Sequence, residues 1–368
     1  MSVWSVAADR ASPMISELAR TGDPHCVSVI VPCRNEVEHI GTFCDGALAQ
    51  RLPMGWRMQI IVADGMSNDG TVEALRARAD RDDRLLIVPN PEHIVSTGLN
   101  IALAYATGQV IVRMDVHTQF APDYVAECIK SLQRTGADNV GGPWVASGVG
   151  LTGQAVAAAF QCRWVVGGAR SRQTDYEGPA DTVYLGCWPR AVLAAVGGFD
   201  EALVRNQDDE HNLRLKRVGR VIWQSTRIRS WYTPRDSLKH LFRQQYQYGY
   251  WRPFVARKHG QLGSVRQLVP AAFVFALAVS MSVWTAWRWP SLALGGAYAA
   301  YLAFASVMAS RPQHDDVAPA DARRSSLLIR LPMVIAVYHM GYGLGTWRGL
   351  LDVARGRRVS ARSAKISR

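Results

Sequence analysis

Ionisable side chains gather at the ends of three short apolar runs in this 368-residue chain. VSVIVP (27–32) leads into Pro32-Cys33-Arg34-Asn35-Glu36, QIIVAD (59–64) ends on Asp64, and QVIVRMD (109–115) ends on Asp115, two residues after Arg113. Each of these alone is ordinary turn chemistry, because Asn and Asp favour loops. Three at corresponding positions in successive units argue for a shared site for a polar ligand. A dinucleotide site of the G-x-G-x-x-G type needs glycines after the first run; residues 31–38 read VPCRNEVE and exclude that fingerprint. A fourth ionisable group, Asn206-Gln207-Asp208-Asp209-Glu210, runs into the basic stretch HNLRLKRVG. Adjacent carboxylates raise one another's proton affinity while a helix N-terminus lowers it. This group is either proton-handling or a solvated acidic helix start.

The elements that must position these groups follow from periodicity. The three runs, with LLIVPN (85–90), are short, continuous and rich in β-branched residues, the pattern of strands buried on both faces. Helical spacing occupies roughly 36–50, 71–80 (with Ser67, Asn68 and Asp69 as candidate caps) and 96–108, the last closed by Gly108. Strands alternating with such helices predict right-handed βαβ units and a mostly parallel α/β sheet, whose ligands lie at the carboxyl ends of the strands.

Apolar residues make up 48% of the chain, yet mean hydropathy is only −0.04, so the apolar content is unevenly spread. It crowds the C-terminal third. Residues 268–287 and 291–309 are nearly charge-free runs of roughly 20 residues, long enough as helices to span a bilayer of about 30 Å. Trp284, Trp287 and Trp289 suit an interfacial belt. A third run, 327–347, carries Arg330, Pro332, His339 and three glycines. A basic tail after 347 favours the cytoplasmic side, where each Lys or Arg adds about 1 kcal/mol of attachment to anionic lipid. With both the catalytic part and the tail cytoplasmic, crossings must be even in number; this predicts a two-span hairpin with 327–347 embedded or re-entrant. The first residues lack a signal-like apolar core, so export of the catalytic part is not expected. Six scattered cysteines show no C-x-x-C pair or zinc spacing and fit a reduced compartment. The net charge of +12 suits an anionic surface or substrate. Basic residues concentrate beside apolar segments rather than interleaving with aromatics, which argues against nucleic acid.

The series V-I-V-P-x-x-N-E, A-D-G-x-S-x-D-G-T and a strand-ending aspartate after A-T-G resembles family 2 glycosyltransferases. ADGMSNDGT, RMDVHTQF, DNVGGPW, DTVYLG, VGGFDE, RNQDDE and YTPRDSL narrow the resemblance to the succinoglycan-type exopolysaccharide transferases, over residues 27 to 350. It implies a GT-A-type, Rossmann-like mixed, mainly parallel sheet followed by C-terminal membrane helices. The implied segments are a lead-in at 1–24, a catalytic domain at 25–235, amphipathic interfacial helices at 236–266, membrane-embedded helices at 267–350 and a cytoplasmic tail at 351–368.

The resemblance also implies the activity: inverting transfer of a sugar from a nucleotide-sugar donor, UDP by similarity, to a polyprenyl-linked or other glycan acceptor at the inner membrane. A departing diphosphate calls for a hard cation, and the family's Asp-x-Asp motif corresponds to Asp115-Val116-His117, so Asp115 and His117 are implied metal ligands. Imidazole in the second place departs from the pattern and favours Mn²⁺ over Mg²⁺, which prefers oxygen. Pro32, Arg34, Asn35, Glu36, Asp64 and Ser67 correspond to the nucleotide-binding positions. Arg113 either faces the diphosphate or pairs with a carboxylate. Asp208 corresponds to the catalytic base, with Asp209 second and Gln207 where Glu is usual. Gly186, Gln207, Arg243, Gln247 and Trp251 are the donor- and acceptor-loop candidates. RQQYQYGYW (243–251) matches the Gln-x-x-Arg-Trp element of processive synthases only in part, with Tyr250 in place of arginine. Its aromatics could stack on sugar rings or anchor an interfacial helix. A processive synthase and an inactive membrane recruitment protein are the competing readings.

Overall fold

The computed structural model describes residues 22–261, 264–311 and 321–357. The lead-in up to residue 21, residues 262–263 and 312–320, and the tail from 358 lie outside the described residues. Two compact units are formed, and they are not consecutive in sequence. One comprises the residues up to Trp144 with Gln173–Tyr232; the other comprises Val145–Arg172 with the chain from Thr233 onward. The stretch read as a continuous catalytic domain, 25–235, is thus interrupted.

The first unit opens with β1 (Asp23–Cys33), α1 (Val37–Leu48), β2 (Arg57–Asp64), α2 (Thr71–Ala79), β3 (Leu85–Pro89), α3 (Val95–Tyr105) and β4 (Gly108–Arg113). Then come β5 (Thr118–Phe120), α4 (Tyr124–Thr135) and β6 (Asn139–Gly142). The second unit inserts β7 (Val145–Ala146), α5 (Gly150–Gln161) and α6 (Arg163–Val166). The first resumes with β8 (Gly178–Pro179), β9 (Tyr184–Pro189), α7 (Arg190–Val196), α8 (Gln207–Arg217), β10 (Ile222–Gln224) and β11 (Ser230–Tyr232).

Its eight-stranded sheet runs β3-β2-β1-β4-β9-β6-β10-β8. β1 to β4 are mutually parallel, as the apolar runs predicted, and Cys33 lies level with Asp64 at the carboxyl edge. β9 enters antiparallel between β4 and β6. Alternate residues feed two cores. Val27, Val29, Val31, Ile60 and Val62 pack with Ile40, Phe43, Val125 and Ile129 on one face. Ile30, Ile61 and Ala63 pack with Leu99, Leu103, Leu193 and Leu215 on the other. A buried Leu or Ile side chain contributes about 1.5–3 kcal/mol, so these cores hold the loops at the carboxyl edge on a rigid base. Gly108 opens β4 rather than closing α3, which already stops at Tyr105. Likewise Gly70, not Ser67, Asn68 or Asp69, is the N-cap of α2, and Asp69 accepts hydrogen bonds from both the backbone N (3.1 Å) and Oγ1 (2.5 Å) of Thr71.

The second unit contains α9 (Leu238–His259), α10 (Val269–Ser282), α11 (Trp289–Ala309) and α12 (Asp321–Ala354). Three of its helical stretches are long and apolar enough to cross a membrane: Val265–Ser282, Trp289–Ala309 and Arg324–Ala354. The segment 327–347 is therefore no re-entrant loop; it lies within one continuous 34-residue helix that carries Pro332 inside it. Its glycines have a packing role. A Cβ on Gly345 would lie 2.1 Å from the Tyr246 carbonyl oxygen, and one on Gly349 would lie 2.3 Å from that of Tyr250. Small residues one turn apart let α9 approach backbone to backbone, as in membrane helix pairs. The inserted residues join this unit too: Tyr301 Oη donates to Trp164 O (2.5 Å), and Trp164 meets Phe304 edge to face.

Candidate active site

The loop after β1 and the loop after β2 are knitted into one surface. Asp64 is fully buried at the end of β2. Its carboxylate accepts from Ser67 N (2.9 Å) and Ser67 Oγ (2.5 Å). Asn35 adopts a left-handed turn, φ 53°; its N–H donates to Ser67 Oγ (2.8 Å) and its Oδ1 accepts from Asn68 N (3.1 Å). Asp64 thus shapes this loop through Ser67. Arg34 and Asn35 are the exposed groups beside half-buried Pro32 and Glu36. The Cys33 thiol between them is pushed far up by burial and by the Asp64 carboxylate; it is packing, not a nucleophile.

β4 stops at Arg113, two residues short of the sequence reading, and Asp115 opens a turn closed by Thr118 N donating to Asp115 O (3.0 Å). Arg113 is the hub. Its side chain is 4% exposed, and its Nε and Nη2 form a fork onto both oxygens of Asp115 at 2.9 Å each. Its Nη1 donates to Asp208 Oδ1. Burial alone would lower the affinity of this guanidinium for its proton, but the Asp115 and Asp208 carboxylates outweigh it and keep the group charged. The residue left open between two roles on sequence thus pairs with carboxylates.

Asp208 sits in the first turn of α8, which Asn206 enters in a left-handed conformation, φ 62°. Solvent reaches 41% of its side chain. Its carboxyl is still held above the ordinary range, by desolvation first and by Asp115 and Asp209, with Arg113 acting in opposition. The third acid is structural: buried Glu210 pairs with Arg214 (3.0 Å), which donates to the carbonyls of Val196 and Gly198. Gln207 is buried. Asn139 holds α8 in place, donating to Asn212 Oδ1 (2.9 Å) while its own Oδ1 accepts from Cys187 N (3.2 Å). Gly186 sits beside it at φ 112°, where a Cβ would meet the Trp188 ring at 2.5 Å. The sheet register shifts between Val140 and Gly142 at this point, an irregularity of the kind that re-aims a side chain. Beyond the shift Gly142 pairs with Tyr184.

Tyr184 belongs to a cluster that the sequence reading did not pick out. It stacks on Trp144 (5.7 Å between ring centroids, 16° between planes), and Tyr232 lies 5.3 Å from Trp144. Its hydroxyl shares a 2.7 Å hydrogen bond with Thr118 Oγ1. Its phenol is pushed well above its ordinary value by burial and next by the Asp115 carboxylate. The signal was present, since DNVGGPW, DTVYLG and YTP each carry one of the three rings, but only tertiary structure brings them together.

Asp115 and His117 do not share partners as a strand alternation would have it. Asp115 is held by Arg113, whereas His117 Nε2 contacts Glu36 Oε1 at 2.6 Å. Both remain partly exposed, and one carboxylate with one imidazole is a donor set suited to a divalent cation that accepts nitrogen as well as oxygen. In the second unit, Gln247 and Trp251 are buried in α9 and Arg243 is exposed. Trp251 packs against Tyr250 and Phe254, and so presents no open ring face for a sugar.

Residues 28–188 match the sequence pattern of Glycosyl transferase family 2. The chain is 29% identical over 330 residues to the succinoglycan biosynthesis protein ExoA of Rhizobium meliloti (strain 1021), covering 89% of this chain and 96% of that one. It is 23% identical to the dolichyl N-acetyl-alpha-D-glucosaminyl phosphate 3-beta-D-2,3-diacetamido-2,3-dideoxy-beta-D-glucuronosyltransferase of Methanococcus voltae, covering 88% and 97%. Among solved structures, the mannosyltransferase PcManGT of Pyrobaculum calidifontis, in complex with GDP-Man and Mn²⁺, superposes with a TM-score of 0.57 at 19% identity, covering 89% and 87%. The fold is GT-A-like. The chain carries the family 2 glycosyltransferase pattern over residues 28–188 and is similar along most of its length to the succinoglycan type.

Proposed function

We propose that this chain transfers a sugar with inversion from a nucleotide-sugar donor, UDP-linked, to a hydroxyl of a lipid-linked glycan. The observation that carries the reading is the single buried guanidinium of Arg113 holding both Asp115 and Asp208. The group facing the departing nucleotide and the group facing the incoming alcohol thereby stand beside one anomeric carbon.

The loop of Pro32, Arg34, Asn35 and Glu36, braced by Asp64 and Ser67, cradles the nucleoside. Asp115 and His117 would hold Mn²⁺ or Mg²⁺, which when bound neutralises the charge developing on the diphosphate. Asp208 takes the proton from the acceptor hydroxyl as that oxygen attacks the anomeric carbon, and its raised proton affinity brings it nearer to that task. Arg113 orients the base and tempers its charge. Trp144, Tyr184 and Tyr232 offer apolar ring edges and faces to a sugar next to these groups. The similarity to an enzyme named for a dolichyl-linked substrate supports a lipid-linked acceptor, and the three apolar helices support a membrane setting.

Asp208→Asn tests the reading. Transfer and donor hydrolysis should fall by about 10²–10⁴-fold, the worth of a general base, with nucleotide binding retained. Full turnover in that variant removes Asp208 from the chemistry. Screening detergent-solubilised protein against nucleotide sugars identifies the donor, and the anomeric configuration of the product tests inversion.

A further inference from the structure

We propose that Glu36, His39 and His117 form a binding site for a borderline divalent transition metal of the Zn²⁺ or Co²⁺ kind, separate from the Asp115 carboxylate. Their ligand atoms all lie within 4.8 Å of one another. Glu36 Oε1 and His117 Nε2 are 2.6 Å apart, and the rings of His39 and His117 meet edge to face with centroids 5.1 Å apart.

Two elements supply the three donors. Glu36 and His39 are three residues apart across the start of α1, a spacing that places side chains on one helix face. His39 N donates to Glu36 O at 2.9 Å, and Glu36 N donates to Thr71 Oγ1 at 2.7 Å, so the backbone beneath the pair is fixed. His117 arrives from the turn after β4. The Glu36 side chain is 12% exposed and forms the floor, while both imidazoles open to solvent and give a cation its way in.

Two imidazoles and a carboxylate, with a fourth place for water, are a zinc donor set. Ligands about 2.1 Å from a tetrahedral ion stand about 3.4 Å from one another. The Glu36–His117 contact must therefore open by less than about 1 Å, within reach of side-chain rotation. Mg²⁺ asks for an octahedron of oxygens and finds one carboxylate here. Asp115 does not belong to this group of three, whose ligand atoms lie together without it.

Binding at this site does not depend on the transferase reading, but its consequence does. A cation held here takes His117 from the diphosphate's metal and Glu36 from the donor loop, so Zn²⁺ should oppose Mn²⁺-supported turnover.

The experiment uses the full chain in detergent with any affinity tag removed, titrated with Co²⁺ without nucleotide and followed by visible d–d absorption and Zn²⁺ competition. One Co²⁺ per chain is expected in a nitrogen-containing, low-coordinate site. Loss of a direct ligand should cost no less than loss of a supporting group, so His39→Ala should weaken binding at least about tenfold and Asp115→Asn should leave it unchanged. Loss of binding in Asp115→Asn with His39→Ala unaffected overturns the proposal, because it assigns the cation to Asp115. Zn²⁺ should suppress Mn²⁺-supported donor hydrolysis in the wild type and not in His39→Ala; equal suppression in both overturns the inhibitory consequence. UDP binding, measured separately in each variant, reports whether the donor loop and the transferase reading stand.

Discussion

Replacing Arg113 by lysine keeps the positive charge and removes the fork. The guanidinium makes three charge-assisted hydrogen bonds, two to Asp115 and one to Asp208. An ammonium is a point charge that cannot span both carboxylates with the same geometry. At about 1.5 kcal/mol or more for each bond to a charged group, losing two costs about 3 kcal/mol. If that loss falls on the transition state, kcat/KM drops by about 10²-fold. The pH profile should change in step. Arg113 lowers the proton affinity of Asp208, so weakening the contact raises it further, and the acidic limb of kcat/KM moves to higher pH. Nucleotide release across a pH series reads both effects, with UDP binding and thermal unfolding showing that the variant is folded. An Arg113→Lys enzyme within about threefold of wild type, a difference under about 1 kcal/mol, with an unmoved acidic limb, refutes the claim that this guanidinium couples the two carboxylates.

Activity with Mn²⁺ should at least equal that with Mg²⁺, because His117 offers nitrogen; a metal titration with clear Mg²⁺ preference contradicts this. Gly345→Ala should lower the thermal unfolding temperature of the detergent-solubilised protein, since its Cβ would lie 2.1 Å from the Tyr246 oxygen and such overpacking costs about 1–3 kcal/mol. Gly295→Ala, where a Cβ meets nothing within 4 Å, serves as its control. Buried His211 has its imidazole lowered from 6.5 to about 4, by burial first and then by Arg214. Above pH 6.5 it is neutral whether folded or unfolded. As pH falls from 6.5 towards 4 the unfolded chain binds a proton that the folded chain does not, and stability is lost through that window. At about 1.4 kcal/mol per unit the loss reaches about 3 kcal/mol. Denaturant melts of wild type against His211→Gln across that window measure the difference.

The first half of the catalytic sheet was legible because its signals are local. Runs such as VSVIVP and QIIVAD are buried on both faces, and their β-branched content and length identify them before any partner is known. The residues that end them, from Pro32 to Glu36 and at Asp64, were legible for the same reason. The second half was not. β9 is six residues of YLGCWP that pair antiparallel on both sides, and nothing in their period announces that direction. Residues 145–172, taken on sequence as part of the catalytic domain 25–235, cluster instead with the unit that holds the apolar helices.

What the amino-acid order determined here is which segments are strands, which helices are apolar enough for a bilayer, and which residue types stand at the sheet's carboxyl edge. Tertiary structure alone decided the partners: that Arg113 takes two carboxylates, that His117 turns to Glu36 rather than to Asp115, and that three distant aromatics share one cluster. The glycines of α12 show the difference most simply. In sequence they look like interruptions of a helix, whereas in the fold they are where α9 needs room. Burial and periodicity act between neighbours a few residues apart, but the pairing of charges and the clearance for a Cβ depend on what the fold brings from far along the chain.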